Sequence, residues 1–436
     1  MPTSRVVAFA LVGLTLLVPA VRAELRTGSE INAATADEVN DLLPPEILRH
    51  YKSGEYMNKL VDYPDSAFKH DVGFAAATEW NRQHLILDEK KQPVDKETGK
   101  RPDYLSGLPF PDIRPDDPDA AYKVLWNNNY STYNGGNSRN VTSLNWVSPG
   151  GLDRSSVQDV TFLFYDGQPK HYIPPQNPEN FLFQFVALTL SPTDLQGTAA
   201  LSWRFRDPGK RDASWAYVPA LRRVRAVSPA NRSDGFLGSD LSQDDGTFFD
   251  GKVEDFTWKL TDHRDALRLT DPDSVAGRIV RRTLPGGGWR TYYGHNDETA
   301  GWQVKGWKGI AWAPVSAALT KRKVWVLEGT PTDKYYLYGK IELWIDDYTY
   351  QGAWNRKFGW TGELLNTYQV TGPASAPYND KEEWWGSTFG YQTAENVKAN
   401  RATVAGLEPP GEIPSDRRIP LSPSYFDYQT LSRVGK

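Results

Sequence analysis

The chain has 436 residues, a formal net charge of −4 at neutral pH and no cysteine. The lack of cysteine excludes disulfide bonds, thiolate catalysis and thiolate metal ligation, and the mild acidity argues against a nucleic-acid partner, which needs a basic face. The 16 Trp, 22 Tyr and 17 Phe residues favour a β-rich protein, an aromatic-lined binding surface, or both.

The first 23 residues have the features of an export signal. Arg5 precedes an apolar stretch at residues 6–19, and VRA at 21–23 matches a signal-peptidase site. The stretch is shorter than the roughly 20 residues of a membrane-spanning helix, and no later apolar run is long enough to cross a bilayer. We therefore expect cleavage near Ala23 and a periplasmic protein that is not an integral membrane protein, with full secretion as the alternative.

Residues 24–150 are predicted to form a mostly helical N-terminal region. TADE at 35–38 resembles a capping box, and helices are expected at 46–60, 66–87 and 119–130. In the last of these, Tyr122, Leu125 and Trp126 recur at helical spacing. The charged segment 90–102 and the segment 127–140, which is rich in Asn, Gly and Ser, are predicted loops.

From about residue 155 the apolar pattern alternates, as is typical of strands. Residues 181–190 are apolar on both faces, with Phe181, Phe183 and Phe185 sharing one face, which predicts a strand covered on both sides. In the next strand Leu201, Trp203 and Phe205 alternate with Ala200, Ser202 and Arg204, which predicts a half-exposed strand. Roughly ten or more such strands with short turns predict an antiparallel sheet over residues 151–375. The Pro-rich residues 376–436 predict an extended tail.

The sequence offers little support for an enzyme. It lacks the Gly-x-Ser-x-Gly elbow of serine hydrolases and the phosphate-binding Gly-Lys-Ser/Thr loop. DLSQDDG at 240–246 resembles a calcium loop, but Asp245 stands where that loop requires glycine. We therefore predict no catalytic residue, no cofactor and no metal site. A glycosidase stays open, because its paired carboxylates are close in space rather than in sequence.

Two neighbouring segments carry the most distinctive charges. Arg222, Arg223 and Arg225 follow Trp215 and Tyr217 closely, and guanidinium groups bind carboxylate or phosphate with two parallel hydrogen bonds. The second segment, residues 228–255, is called the acidic loop. The alternative role of the arginines is internal pairing with the carboxylates of this loop, which are Asp234, Asp240, Asp244, Asp245 and Asp250.

An ordered set of motifs resembles the bacterial family called domain of unknown function 1329 (DUF1329), often described as outer-membrane lipoprotein-sorting-like. The motifs are GLPFP at 107–111, VLWN at 124–127, WAYVP at 215–219, RRVR at 222–225, GSD at 238–240, DD at 244–245, DGK at 250–252, WKL at 258–260, VWVLEG at 324–329 and YGKIELWID at 338–346. Residues 28–43 depart from the Gly-rich opening usual in the family.

The resemblance implies a fold similar to the lipoprotein carriers LolA and LolB. The expected fold class is mainly β with flanking helices (α+β), in which a large curved antiparallel sheet forms an incomplete barrel closed by helices around an apolar cavity. The resemblance also implies that the protein acts together with an outer-membrane protein or with an export pump of the resistance-nodulation-division type. It brings no catalytic residues with it.

These observations lead to three hypotheses. The first is a periplasmic binding or transfer protein for lipids or other hydrophobic molecules, with Arg222, Arg223 or Arg225 holding an acidic headgroup at the rim. The second is a carbohydrate-binding or glycan-hydrolysing protein that uses exposed residues such as Trp384 and Trp385. The third is a non-catalytic accessory subunit of an envelope complex. For the first hypothesis, the residues predicted to line the cavity are Phe183, Phe185, Trp203, Phe205, Trp215 and Tyr217.

Overall fold

The protein is built mainly from β-strands. The computed structural model describes residues 26–271, 279–293, 299–372, 374–377, 385–388, 392–406 and 415–434. The predicted signal at 1–23 lies outside these residues, as do Trp384 and the side chain of Trp385. The helices described are α1 (Pro45–Lys52), α2 (Val72–His84), α3 (Ala120–Tyr133) and α4 (Leu431–Val434).

The strands described are β1 (Glu30–Ile31), β2 (Asn58–Lys59), β3 (Leu85–Leu87), β4 (Pro93–Asp95), β5 (Ser138–Ser148), β6 (Gly151–Phe164), β7 (Phe181–Ser191), β8 (Ala199–Phe205), β9 (Ala213–Val218), β10 (Arg223–Val227), β11 (Phe256–Thr270), β12 (Ile279–Thr283), β13 (Trp289–Tyr293), β14 (Ala318–Pro331), β15 (Lys340–Asp346), β16 (Gly352–Phe358), β17 (Leu364–Val370), β18 (Ala374–Pro377), β19 (Trp385–Thr388), β20 (Gln392–Asn396), β21 (Arg401–Ala405) and β22 (Ser415–Arg417).

One antiparallel sheet contains 16 of these strands. Its order is β10-β9-β8-β7-β6-β5-β21-β20-β17-β16-β15-β14-β11, with β22 on β5 and β12 and β13 beyond it. Within the described residues no pairing joins β10 to β11, so the sheet does not close. The expected fold class, a large antiparallel sheet forming an incomplete barrel, is confirmed.

Helix α3 shows that the sheet is strongly curved. Its buried residues, including Leu125 and Trp126, belong to one apolar cluster with Phe183 of β7 and Trp258 of β11. These two strands lie towards opposite ends of the sheet order. Because both reach the same helix, the sheet must bend around α3, and we call the face that surrounds the helix the concave face.

The Asn-rich end of α3 differs from the predicted loop at 127–140. The helix runs to Tyr133, and strand β5 starts at Ser138. The Asn127 amide donates to the Phe110 carbonyl (2.7 Å) and accepts from its N–H (2.9 Å), and Asn128 Nδ2 donates to the Tyr350 carbonyl (2.7 Å). These bonds to neighbouring backbone satisfy amides that would otherwise favour a turn.

Two terminal segments cover the convex face of the sheet. Ile47 and Tyr51 of α1 pack in one cluster with strands β11, β14 and β16. At the other end of the chain, Phe426 and Leu431 pack against strands β6 to β9. Residues 376–436, the predicted extended tail, also contribute β20 and β21 to the middle of the sheet. Residues 24–150, the predicted helical region, include the sheet strand β5.

The N-terminal helices are shorter than expected. Thr35 forms no capping box, because its hydroxyl donates to the Glu30 carbonyl (2.8 Å) instead, and only a single 3₁₀ turn follows. Helix α1 stops at Lys52, two residues before Gly54 takes a φ of +74°, a left-handed conformation that glycine adopts without steric cost. Among the described residues no helix is long and apolar enough to cross a membrane.

Strand β7 is covered on both faces, as its sequence predicts. Phe183 and Phe185 point to the concave side, and Val186 packs under the C-terminal segment. The expectation that Phe181 shares their face is wrong. A register shift between Phe181 and Phe183 moves Phe181 to the convex cluster, because an extra residue in a strand inverts the alternation of side chains.

A buried histidine links the N-terminal segment to the sheet. His50 of α1 contacts Glu55 through Nδ1 (2.7 Å) and Glu395 of β20 through Nε2 (2.8 Å), and its ring stacks on Tyr56. Burial disfavours the imidazolium, but the hydrogen bonds and charges of Glu395 and Glu55 outweigh burial and raise the pKa of His50. The charged form of His50 thus stabilises the docked segment.

We expect stability to depend on the protonation of His50. Its contribution is complete below the unfolded-state pKa of about 6.5 and is lost as the pH rises through the higher folded-state pKa. His50→Gln should lower the free energy of unfolding at pH 6 by about 1–3 kcal/mol and remove this fall at higher pH. Urea denaturation from pH 5 to 9 measures both effects. His171→Gln, at an exposed position, is the control; equal pH profiles for the wild type and His50→Gln would contradict the prediction.

Candidate functional site

A mostly apolar cavity of about 330 Å³ lies between the concave face of β5–β8 and the acidic loop. We call it the main cavity, and its volume is in the range of small-molecule sites. The sheet side is formed by residues such as Val160, Phe162 and Phe185. The loop side includes Phe236 and Leu241. Ala405 at the end of β21, the following Gly406, and Ser415 and Arg417 of β22 complete the wall.

The main cavity exists because small residues follow large ones across the concave face. Phe162 and Phe185 are register partners, and their rings stack at 5.3 Å between centroids. Two residues along, the register partners are Val160, Ala187 and Ala200. Residues directly opposite each other in a sheet share a face, so the alanines leave open the space beside the two rings.

A second space, the side cavity, continues the main cavity towards the end of α3. It measures about 80 Å³ and shares Phe162, Asp250 and Arg417 with the main cavity. Tyr133 of α3 and Phe183 of β7 also line it. The side chains that line the two cavities form a continuous row from helix α3 to the acidic loop.

Buried ion pairs fix the acidic loop over this space. Arg204 of β8 contacts Asp212 (2.7 Å) and Asp250 (3.1 Å). Arg232 of the loop contacts Asp244 (2.6 Å), Asp212 (3.0 Å) and Asp250 (3.0 Å). We call these five residues the ion cluster. Removing one partner from such a cluster leaves uncompensated buried charge, which is strongly destabilising.

The cluster shifts the ionisation of its carboxyl groups in opposite directions. Burial would raise the pKa of Asp212, but the charges of Arg204 and Arg232 outweigh burial and hold that pKa below its ordinary value. Burial raises the pKa of Asp250, and the same two arginines offset this only in part. Asp250 is thus the more easily protonated of the two, and it is also the one that lines both cavities.

Two further contacts hold the acidic loop, one from the connection between β14 and β15 and one from strand β16. Tyr336 donates its hydroxyl proton to Asp244 (2.7 Å), and Lys357 of β16 forms a buried ion pair with Asp245. Burial and the charge of Asp244 raise the pKa of Tyr336 well above its usual value. Tyr336 therefore stays neutral and acts as a donor at any physiological pH.

The cations that pair with the acidic loop are not the arginines predicted from the sequence. Arg222, Arg223 and Arg225 are exposed and form no ion pair among the described residues, so the acidic loop does not pair with them. The carboxylates of the loop pair instead with four cations that sequence reasoning did not propose as partners, Arg204, Arg232, Lys357 and Arg401. Arg204 was expected in a half-exposed strand but is buried. Asp212 and Asp250, from other segments of the chain, neutralise its charge.

Two of the six predicted lining residues face the cavities. Phe185 lines the main cavity and Phe183 the side cavity. Trp203, Trp215 and Tyr217 lie on the convex face, where they pack with the C-terminal segment; Trp203 Nε1 donates to the Phe426 carbonyl (2.7 Å). Phe205 packs beside Phe181, with Lys210 Nζ 3.6 Å from its ring centroid. The alternation of residues predicts which side chains share a face of the sheet, but it does not predict which face borders the cavities.

The predicted acidic residues have different surroundings. Asp244 and Asp245 are buried in ion pairs, and Asp240 pairs with Arg401 (3.1 Å), whereas Asp234 is exposed. Asp240 also accepts a hydrogen bond from Asn396 Nδ2 (3.0 Å). In the part of the chain that the structure describes, no group of three or more His, Asp or Glu side chains is arranged to hold a metal ion.

With this geometry in place, comparison with known proteins identifies the family. The sequence matches the family described as "Protein of unknown function (DUF1329)" over residues 30–432. The chain belongs to the DUF1329 family. The resemblance drawn from the motifs is therefore confirmed. No curated protein matches the sequence.

Three solved structures are similar to this DUF1329 protein. One is a domain provisionally described as an outer-membrane lipoprotein-sorting protein from Vibrio parahaemolyticus (16% identity, TM-score 0.47, covering 72% of this chain and 99% of that chain). Another is a DUF1329 family protein from Desulfovibrio piger (15%, 0.44, 70% and 97%). The third is a LolA superfamily protein from Nitrosomonas europaea (12%, 0.41, 70% and 97%).

Loss of one cation from the ion cluster should destabilise this DUF1329 protein strongly. We expect Arg232→Met to lower the free energy of unfolding by about 3–5 kcal/mol, because the buried carboxylates of Asp212 and Asp244 and the partly buried carboxylate of Asp250 lose a partner. Arg223→Met, at an exposed and unpaired position, should change it by less than about 0.5 kcal/mol. Urea denaturation at pH 7 compares the two variants. Similar small effects of both would show that the cluster does not hold the loop.

Proposed function

We propose that this protein is a periplasmic binding or transfer protein for lipids or other hydrophobic molecules. The observation that carries the proposal is the mostly apolar main cavity between the concave face and the acidic loop. The export signal in the sequence supports the periplasmic location. A role beside an outer-membrane protein or a resistance-nodulation-division pump remains a prediction from the family.

The energy of apolar transfer explains why such a protein is useful. Each methylene group removed from water contributes about 0.8 kcal/mol, so a 16-carbon chain represents about 13 kcal/mol before ordering costs. A free lipid faces this barrier when it leaves a membrane for water. A cavity lined by Phe162, Phe185 and Ala187 offers the chain an apolar environment while it crosses the aqueous space.

The cavity binds without needing chemistry at its walls. The carboxylates that reach it, Asp245 and Asp250, are already paired with Lys357 and with Arg204 and Arg232. The wall is held by these buried pairs, so it presents a shaped apolar surface. The glycan hypothesis rests on Trp384 and Trp385, whose side chains lie outside the described residues, and it remains a prediction.

Protein purified from its native host should carry a hydrophobic molecule. Native mass spectrometry should show a bound species of defined mass, and a denatured extract should release it into an organic phase. A parallel preparation of Ala200→Phe, whose ring would occupy the main cavity, should carry much less. Protein that is empty in repeated native preparations would contradict the proposal.

Filling the cavity should also reduce binding in solution. We expect Ala200→Phe to weaken binding of the neutral fluorescent probe N-phenyl-1-naphthylamine by about tenfold or more, because the added ring takes the space that the probe needs. Ala226→Phe is the matched control, since Ala226 is exposed on edge strand β10 and its register partner Trp215 lies on the convex face. Equal loss of binding in both variants would place the probe elsewhere.

A further inference from the structure

The main cavity contains hydrogen-bond donors without partners. Among the residues that the structure describes, Nε of Arg417 on β22 is buried and has no hydrogen-bond partner, and the same is true of Nε2 of Gln243 on the acidic loop. Both residues line the main cavity. Buried polar groups in folded proteins are nearly always paired, so two orphan donors in one cavity need a physical explanation.

The carboxylates nearby do not supply that partner. Asp250 lines both cavities with Arg417, but its oxygens are taken by Arg204 (3.1 Å) and Arg232 (3.0 Å). Asp245 accepts from Lys357 and from the Ser242 backbone N–H (2.7 Å). Among the described residues that line the main cavity, no buried side-chain acceptor is without a donor. The unmet hydrogen-bonding capacity of the cavity therefore consists of donors.

The position of Arg417 places its charge at the end of the aromatic row. Arg417 is the register partner of Ser138, which pairs with Phe162, and Phe162 pairs with Phe185. These four residues share the concave face across four strands. Arg417 also lines the side cavity. A molecule that lies along the two phenylalanine rings would thus meet a guanidinium group at one end.

We propose that the ligand is an amphiphile with an anionic, oxygen-bearing head that accepts hydrogen bonds from Arg417. Its apolar part lies along Phe162, Phe185 and the alanines of the main cavity. This inference rests on the proposed function and names the class of molecule that the cavity takes. A carboxylate and a phosphate monoester share this chemistry, since both match the planar donors of a guanidinium group.

Half-burial makes Arg417 a stronger anchor than the arginines chosen from the sequence. Arg225 is also on the concave face, through the register Ala187, Ala200, Ala216 and Arg225, but it is exposed on an edge strand. Charge attraction at an exposed site is weakened by water and salt. Arg417 borders an apolar space, where the same attraction is stronger.

Competition against bound N-phenyl-1-naphthylamine tests the inference. Four amphiphiles with the same chain are titrated below their micelle concentrations: palmitate, hexadecyl phosphate, hexadecanol and hexadecyltrimethylammonium. The wild type should prefer palmitate or hexadecyl phosphate over hexadecanol by about tenfold or more, and the stronger of the two identifies the head group. Arg417→Gln should lose this preference but bind hexadecanol as the wild type does, which also shows that the variant is folded.

Two more variants complete the design. Arg417→Lys keeps the positive charge and should retain part of the preference for an anion, whereas Arg225→Gln should behave as the wild type. If Arg417→Gln binds palmitate and hexadecyl phosphate as tightly as the wild type does, the inference is wrong and the cavity still stands as a binding site. If neither the probe nor any amphiphile binds the wild type, the proposed function itself is wrong.

Discussion

Both faces of the large sheet bury apolar side chains, so each face needs a cover that excludes water. On the convex face the covers are chain segments, α1 at one end and the residues around Phe426 at the other. On the concave face α3 fills the bend of the sheet, but the helix ends at Tyr133, which borders the side cavity and does not line the main cavity. The acidic loop completes the cover without filling the space beneath it, and that unfilled space is the main cavity.

The charges of the ion cluster explain how a loop can cover a space without entering it. An apolar loop would gain by collapsing onto Phe162 and Phe185, because each buried methylene lowers the free energy. Arg232 and Asp250 instead tie the loop to Arg204 and Asp212 at hydrogen-bond distance, and this geometry cannot relax towards the rings without breaking charge pairs. Buried ions are a costly way to gain stability, but they hold groups at defined separations, which an open cavity requires.

Local patterns predicted the sheet well and the site poorly, for a physical reason. Alternation and the two apolar faces of β7 follow from the residues themselves. The face that holds the cavity is decided by register, such as the shift that moves Phe181 away from Phe183. The burial of Arg204 depends on Asp212 and on Asp250, which is 46 residues away, and Asn128 of α3 depends on the Tyr350 carbonyl, 222 residues away. Pairings of this kind leave no periodic trace in a sequence.

A cluster of arginines in the sequence differs from an arginine that the fold places to bind a ligand. Arg222, Arg223 and Arg225 attract notice because they are adjacent, yet water solvates all three, so an anion that approaches them gains little that it did not already have. Arg417 lies between Asp416 and Arg418, which are buried and form ion pairs with other residues. Within the described part of the chain its Nε has no hydrogen-bond partner, and the residue borders an apolar surface. An unpaired donor in such surroundings has lost its hydrogen bonds to water and has gained no other bond, which costs free energy. A ligand that supplies an anionic oxygen there recovers that free energy. For binding, the position of one arginine therefore matters more than the number of exposed arginines elsewhere.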